Sequence, residues 1–173
     1  MTSPDAFLLA ANDWVPNNAR LPVLLYRAAI EPDADDPAAA FERAFAANGW
    51  PPEWRDGIFD YHHFHSTAHE VLGVSKGRAT VILGGPDGRK VDIAAGDVMV
   101  LPAGTGHCLD HADGDFEVVG AYPAGQKWDI CRHALTPDAL RKMLALPIPD
   151  QDPVVGKGGP LCKAWDEPGK QML

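Results

Sequence analysis

The sequence predicts an all-β domain, a sandwich or barrel of short antiparallel strands, with a helix ahead of it and a short helix behind. Three observations carry this. From residue 57 to about 123, seven short runs follow one another, GIFDYHHFH, EVLGVSKG, RATVILGG, KVDIA, GDVMVLPAG, GHCLDH and FEVVGAYP, each bounded by Gly, Pro, Asp or Asn. Nothing between them has the strand and helix alternation of a parallel sheet. A chain of 173 residues, 46% apolar and 23% charged, suits one compact domain with a real core.

Taken in order, AFLLA (6–10) and LPVLLYRAAI (21–30) read as strands from their leucine, β-branched and aromatic content, with PNNAR as the turn between them. The acidic loop EPDADD leads into the clearest helix, about 37–48. Asp36 can cap it, Pro37 fits its first position, and Phe41, Ala44, Phe45 and Asn48 recur at helical spacing before Gly49 ends it. Its Phe41/Phe45 face is expected to lie on the outside of a sheet. WPPEW, at 50–54, reads as a packed connector. GGPDGRK and HADGDF (111–116) read as hairpin connections. Thr136 is expected to cap a short helix with Leu140, Met143 and Leu144 on its buried face. The tail from Pro147 to Leu173 reads as extended chain wrapping the domain, with Trp165 as its anchor. No repeat or linker marks a boundary, so 1–173 is expected to be a single domain: N-terminal strands and helix over 5–50, a barrel over about 57–123, and a C-terminal helix and tail over 124–173.

Charge and cysteine usage narrow the function classes. A net charge of −9 and a pI near 5.1, with no stripe of Lys and Arg, disfavour nucleic acid and anionic membranes as partners. Cys108, Cys131 and Cys162 are far apart and odd in number, which suggests neither a zinc ribbon nor a disulfide framework and fits a reduced, cytoplasmic location. The opening MTSPDAFLLAANDW lacks the basic region and apolar length of a signal peptide, and no stretch approaches the roughly 20 apolar residues of a membrane span. Exposed sheet edges and an extended tail make a homodimer the expected assembly.

The chemistry concentrates in GIFDYHHFHSTAHEVLGVSKG, 57–77. In an extended strand residues two apart share a face, so His63 and His65 would converge, and Glu70 could join them from the next strand after a turn through 66–68. His107, in GDVMVLPAGTGHC, is a fourth candidate, approached tightly through Pro102, Gly104 and Gly106. Three imidazoles and a carboxylate make a mononuclear site suited to one divalent Fe, Mn, Ni, Co or Zn ion per chain. His62 has the opposite parity and should face away, His69 could replace Glu70 if the turn differs by one residue, and His111 falls in a solvated turn. Cys108 reads as a small buried hydrophobe beside His107. Tyr61 shares the parity of His63 and could line a cavity or simply pack; Val81, Leu83, Met99 and Leu101 are expected as its walls, and Lys127, Trp128 and Asp129 could sit at a rim.

Two spacings carry a resemblance. Gly57, five residues, His63, one, His65, four, Glu70, six, Gly77 is followed by Gly96, five, Pro102, one, Gly104, two, His107. This resembles the two motifs of the cupins, departing where that family often has Asn and this chain has His111. VPNNARLPVLLYR, NGWPPEWRDGIFDYHHFHSTAHEVLGV, GAYPAGQKWD and DPVVGKGGPL are similar to one branch, the YjlB-like bacterial cupins, so the resemblance covers nearly the whole chain. It implies a double-stranded β-helix, or jelly roll, which strand count alone does not give. It also implies a metal-dependent dioxygenase acting on a small organic acid, diol or thiol. A metal-dependent sugar or small-acid isomerase or epimerase, or a non-catalytic module for a small-molecule ligand, would use the same cup. No Ser/His/Asp or Cys/His constellation offers a different catalyst, and GGPDG is not followed by the helix a phosphate cradle needs.

Overall fold

A strand buried along its whole length must be covered on both faces, and VLLY and VMVL are two such strands. The structure, a computed structural model, describes residues 3–31 and 35–166. Its elements are β1 (Asp5–Phe7), β2 (Val23–Tyr26), α1 (Pro37–Ala47), β3 (Pro52–Asp56), β4 (Glu70–Lys76), β5 (Arg78–Leu83), β6 (Arg89–Ala94), β7 (Val98–Leu101), β8 (His107–Ala112), β9 (Glu117–Ala121), α2 (Pro137–Leu144), β10 (Gln151–Asp152), β11 (Gly156–Lys157) and α3 (Pro160–Ala164). A six-stranded antiparallel sheet in the order β1-β2-β7-β4-β9-β3 faces a three-stranded one, β6-β5-β8. Together they form the expected jelly roll.

Alternation along the larger sheet sorts its side chains. Leu25, Leu72, Val74, Met99, Leu101 and Val118 point inward to meet Val81, Leu83 and Ile93 of the smaller sheet. Leu24, Tyr26, Val71, Val98, Val100 and Val119 point outward, under Phe41 and Phe45 of α1 and under Trp165. The helix starts as expected: the Asp36 carboxylate accepts from the Ala39 amide at 3.1 Å, Pro37 follows, and Gly49 closes the turn at φ +82°. The helix rides close to the sheet, because a Cβ on Gly73 would lie 2.7 Å from the Phe41 ring. Trp165 does anchor the tail, its Nε1–H donating to the Pro22 carbonyl at 2.9 Å.

Several expectations are corrected. The stretch 57–65 is not a regular strand; it makes isolated bridges, His63 with His107 and Phe64 with Cys131. Its backbone also binds β8 from Phe59, so it divides between partners and settles into no single ladder. WPPEW is more than a connector, since Pro52–Asp56 is β3, an edge strand paired with β9. Pro52 is tolerated because it opens an edge strand, where its missing N–H breaks no ladder. HADGDF is a turn but no hairpin: it carries the chain from β8 in one sheet to β9 in the other. The tail is not simply extended. It forms the β10–β11 hairpin and α3 around buried Asp152, which accepts from the amides of Val154, Val155 and Leu161 and from the Tyr26 hydroxyl. In α2, capped by Thr136 as expected, Met143 is buried but Leu144 is exposed. The last part of the expected tail, 167–173, and part of EPDADD lie outside the described residues. No described helix is long and apolar enough to cross a membrane.

His69 turns away from the barrel interior and packs against Trp165, with ring centroids 4.9 Å apart, while its Nδ1 accepts from the Ala103 amide at 2.9 Å. Burial pushes its pKa down to about 4 from the ordinary 6.5. The neutral ring is therefore the folded form, and its contribution is complete above pH 6.5 and lost as pH falls towards 4. We predict that His69→Asn, which keeps an acceptor for Ala103, flattens the loss of stability between those pH values by up to about 3 kcal/mol. Urea titrations at stepped pH showing an unchanged slope would reject this. A second prediction concerns the helix contact: Gly73→Ala destabilises by roughly 1–3 kcal/mol through overpacking. Adding Phe41→Leu should make the pair less harmful than the sum of the singles, and strict additivity in denaturation would count against the contact.

Candidate metal centre

Glu70 opens β4 with the inward parity of Leu72 and Val74, which aims its carboxylate into one end of the barrel. His107 opens β8 opposite Leu83, and its backbone bridge to His63 draws the irregular segment alongside. One ring nitrogen from each of His63, His65 and His107 falls within 4.8 Å of the others, and all three side chains are buried. Glu70 flanks two of them, Oε2 lying 3.1 Å from His65 Nε2 and Oε1 3.2 Å from His107 Nε2. It stands beside the close group of three and is not part of it.

The backbone decides which nitrogens face each other. Nδ1 of His63 lies 3.0 Å from the Tyr61 carbonyl, Nδ1 of His107 lies 2.9 Å from that of Thr105, and Nδ1 of His65 meets that of Asp129. A carbonyl oxygen can only accept, so each Nδ1 carries the proton and each neutral ring presents a bare Nε2. Glu70 Oε1 has no hydrogen-bond partner, which means that its approach to His107 sets one acceptor against another. Three bare nitrogens converging in a buried place, with an orphaned carboxylate oxygen beside them, are donors that could hold a metal ion.

Ionisation follows the same geometry. Burial pushes the Glu70 pKa up, but positive charge on a protonated His65, then a hydrogen bond from His107, outweighs it and holds the group well below its usual range, so protons and a cation compete for the same ring nitrogens. His65 is moved down by burial and further up by Glu70, for a net rise. Burial, then the neighbouring His107, pushes His63 down to about 3. The Tyr122 hydroxyl donates to Glu70 Oε2 at 2.7 Å and accepts from Trp54 Nε1 at 3.0 Å, which orients the carboxylate.

The histidines and Glu70 border a cavity of about 370 Å³, walled by Trp54, Ile58, Phe59, Leu72, Tyr122 and Trp128. The expected walls are placed elsewhere. Val81, Leu83, Met99 and Leu101 belong to the sealed core between the sheets, and Tyr61 stacks on Phe59 with Arg132 over its ring. His62 stands outside the histidine group, His111 is exposed, and Cys108 is buried beside His107 as expected. At the rim, Trp128 lines the cavity and Asp129 fastens the site: its carboxylate accepts from the Ser66 amide at 2.7 Å and from the Ser66 hydroxyl. The wall made by Trp54, Ile58 and Phe59 was missed; the aromatic density of WPPEWRDGIFDY was its only signal.

Comparison with known proteins agrees with this architecture. Residues 54–120 match the family model described as the cupin domain. Over 153 residues the chain is 34% identical to the uncharacterized protein YjlB of Bacillus subtilis, covering 87% of this chain and 90% of that one. Among solved structures, acireductone dioxygenase from Bacillus anthracis, with a cadmium ion in its active centre, is similar at 18% identity and a TM-score of 0.41, covering 64% of this chain and 83% of that one. A mutant of Bacillus subtilis oxalate decarboxylase is similar at 16% identity and a TM-score of 0.35, covering 75% and 34%. The domain match, together with an identity that runs through nearly the whole of both chains, shows that this protein belongs to the cupin family.

Proposed function

We propose that this cupin is a mononuclear metal enzyme, a dioxygenase acting on a small organic metabolite. The observation that supports the reading is the fixed tautomer of three buried histidines, whose bare Nε2 atoms meet at the inner end of an apolar cavity. His63, His65, His107 and Glu70 would hold one divalent transition metal. Such an ion supplies Lewis acidity and, where it is redox-active, the activation of dioxygen. The chain contributes the rest. Carbonyls of Tyr61, Thr105 and Asp129 hold the rings, Tyr122 holds Glu70, and the apolar walls limit water near the reacting atoms.

The lining favours oxygen chemistry over enolisation. An isomerase needs a free base beside the substrate. Here the imidazoles and Glu70 would be committed to the ion, and burial, then Glu70, pushes the Tyr122 hydroxyl far above its ordinary value, so it stays a donor. The remaining carboxylate along the cavity wall, Asp56, is exposed to solvent and not buried with the nitrogen donors, so it is poorly placed to act as that base.

Metal analysis tests the site. His63→Ala, His65→Ala and His107→Ala should each lose most of the metal and stay folded by circular dichroism, whereas His62→Ala keeps it; full occupancy in all three would reject the assignment. Tyr122→Phe should weaken metal binding roughly tenfold, since it removes the donor that fixes Glu70. For the reaction, an oxygen electrode should record uptake by iron- or manganese-reconstituted protein with small diols, thiols or hydroxy acids. Silence across such a panel would remove the dioxygenase reading.

A further inference from the structure

The cavity has an uneven distribution of charge. Among the described residues, its lining includes the carboxylates of Asp56 and Glu70 and contains neither lysine nor arginine. A third carboxylate, Glu53, accepts from Trp128 Nε1 at 2.7 Å and so fixes the indole that borders the cavity. The nearby guanidinium groups are engaged elsewhere: Arg55 pairs with Glu42, and Arg132 lies over the Tyr61 ring at 4.0 Å. The same lining carries four aromatic rings, Trp54, Phe59, Tyr122 and Trp128, with Tyr122 and Trp128 nearly parallel at 17°. Aromatic faces carry negative potential and attract cations, and the attraction grows where water is excluded. Asp56 accepts one backbone bond, from Gly57, at 2.7 Å, through Oδ1.

We propose that this cavity takes a small molecule with a cationic head, a quaternary ammonium or similar onium group, held among the aromatic rings near Asp56. An oxygen-bearing end of the same molecule reaches the three histidines. The arrangement separates two tasks. The histidine end offers a place for oxygen donors, whereas the aromatic and acidic end repels carboxylates and phosphates and gains from a diffuse positive charge. The cavity, at about 370 Å³, lies at the small end of the range for ligand sites, which suits a compact molecule. This deepens the reading of the site given above and rests on it only for the end that meets the metal.

The test compares three probes of one shape: choline, its neutral carbon isostere 3,3-dimethylbutan-1-ol, and the anion 3,3-dimethylbutanoate. Calorimetry on the full chain, metal-free and zinc-loaded, with tryptophan fluorescence as a second readout, measures each affinity. Choline should bind about tenfold more tightly than the alcohol, and the anion more weakly than either on metal-free protein. Asp56→Asn should narrow the ratio and Trp128→Leu should remove most of it, with circular dichroism confirming that both fold. Equal binding of choline and the alcohol, a preference for the anion on metal-free protein, or no binding of any probe would overturn the proposal. The two readings fail separately. A choline preference in protein that takes up no metal sinks the metal enzyme alone, and metal uptake without the preference sinks the cationic ligand alone.

Discussion

A carboxylate buried among imidazoles is the constraint around which this barrel is organised. Glu70 is 2% exposed, and a carboxylate charge in such a place is costly unless it is fully paired. The protein does not relieve it by hydrogen-bonding every atom, because the imidazole protons that could help are spent on the carbonyls of Tyr61, Thr105 and Asp129. Two of these carbonyls lie two residues before their own histidine, so the chain folds each ring back onto itself. The third comes from 64 residues away, and it ties the orientation of His65 to a different part of the fold. A cation at the point where the bare nitrogens and Glu70 meet would resolve the conflict that the backbone has set up.

The rest of the barrel keeps that conflict in place. The larger sheet is covered on one face by α1 and Trp165 and on the other by the smaller sheet, so the strands that deliver Glu70 and His107 are held from both sides. Leu72 belongs both to the sealed core and to the cavity wall, which marks where packing stops and the open end begins. Trp54 closes the flank: its ring lies so close to Gly120 that a Cβ there would stand 2.3 Å away, and its Nε1–H supports Tyr122. Gly120 therefore lets the aromatic wall approach the sheet.

Much of this was legible in the sequence, and the gaps have physical causes. The HxH pair, Glu70 and His107 were readable because fixed spacings between turns force particular residues to the same end of a barrel. Strand parity placed Glu70 in the barrel, since it opens a regular strand, and it left Tyr61 open between lining the cavity and packing; in backbone that does not alternate regularly, Tyr61 packs on Phe59. Val81, Leu83, Met99 and Leu101 were given the correct face but the wrong depth. Periodicity says which side of a sheet a residue occupies, and it says nothing about how far along the barrel axis it lies. The true wall came from WPPEW, where two prolines suggested a connector; an edge strand tolerates proline, and that possibility is invisible until the sheet order is known.

The segment 127–131 shows why the two ends of the cavity should not be treated separately. Its Asp129 carbonyl orients His65, its Asp129 carboxylate holds Ser66 one residue further on, and Cys131 bridges Phe64 on the other side. The same segment presents Trp128 to the cavity and pins it through Glu53 of β3. Because the Asp129 carbonyl sets the His65 tautomer and the neighbouring Trp128 ring lines the cavity, one short segment serves both the aromatic wall and the nitrogen donors.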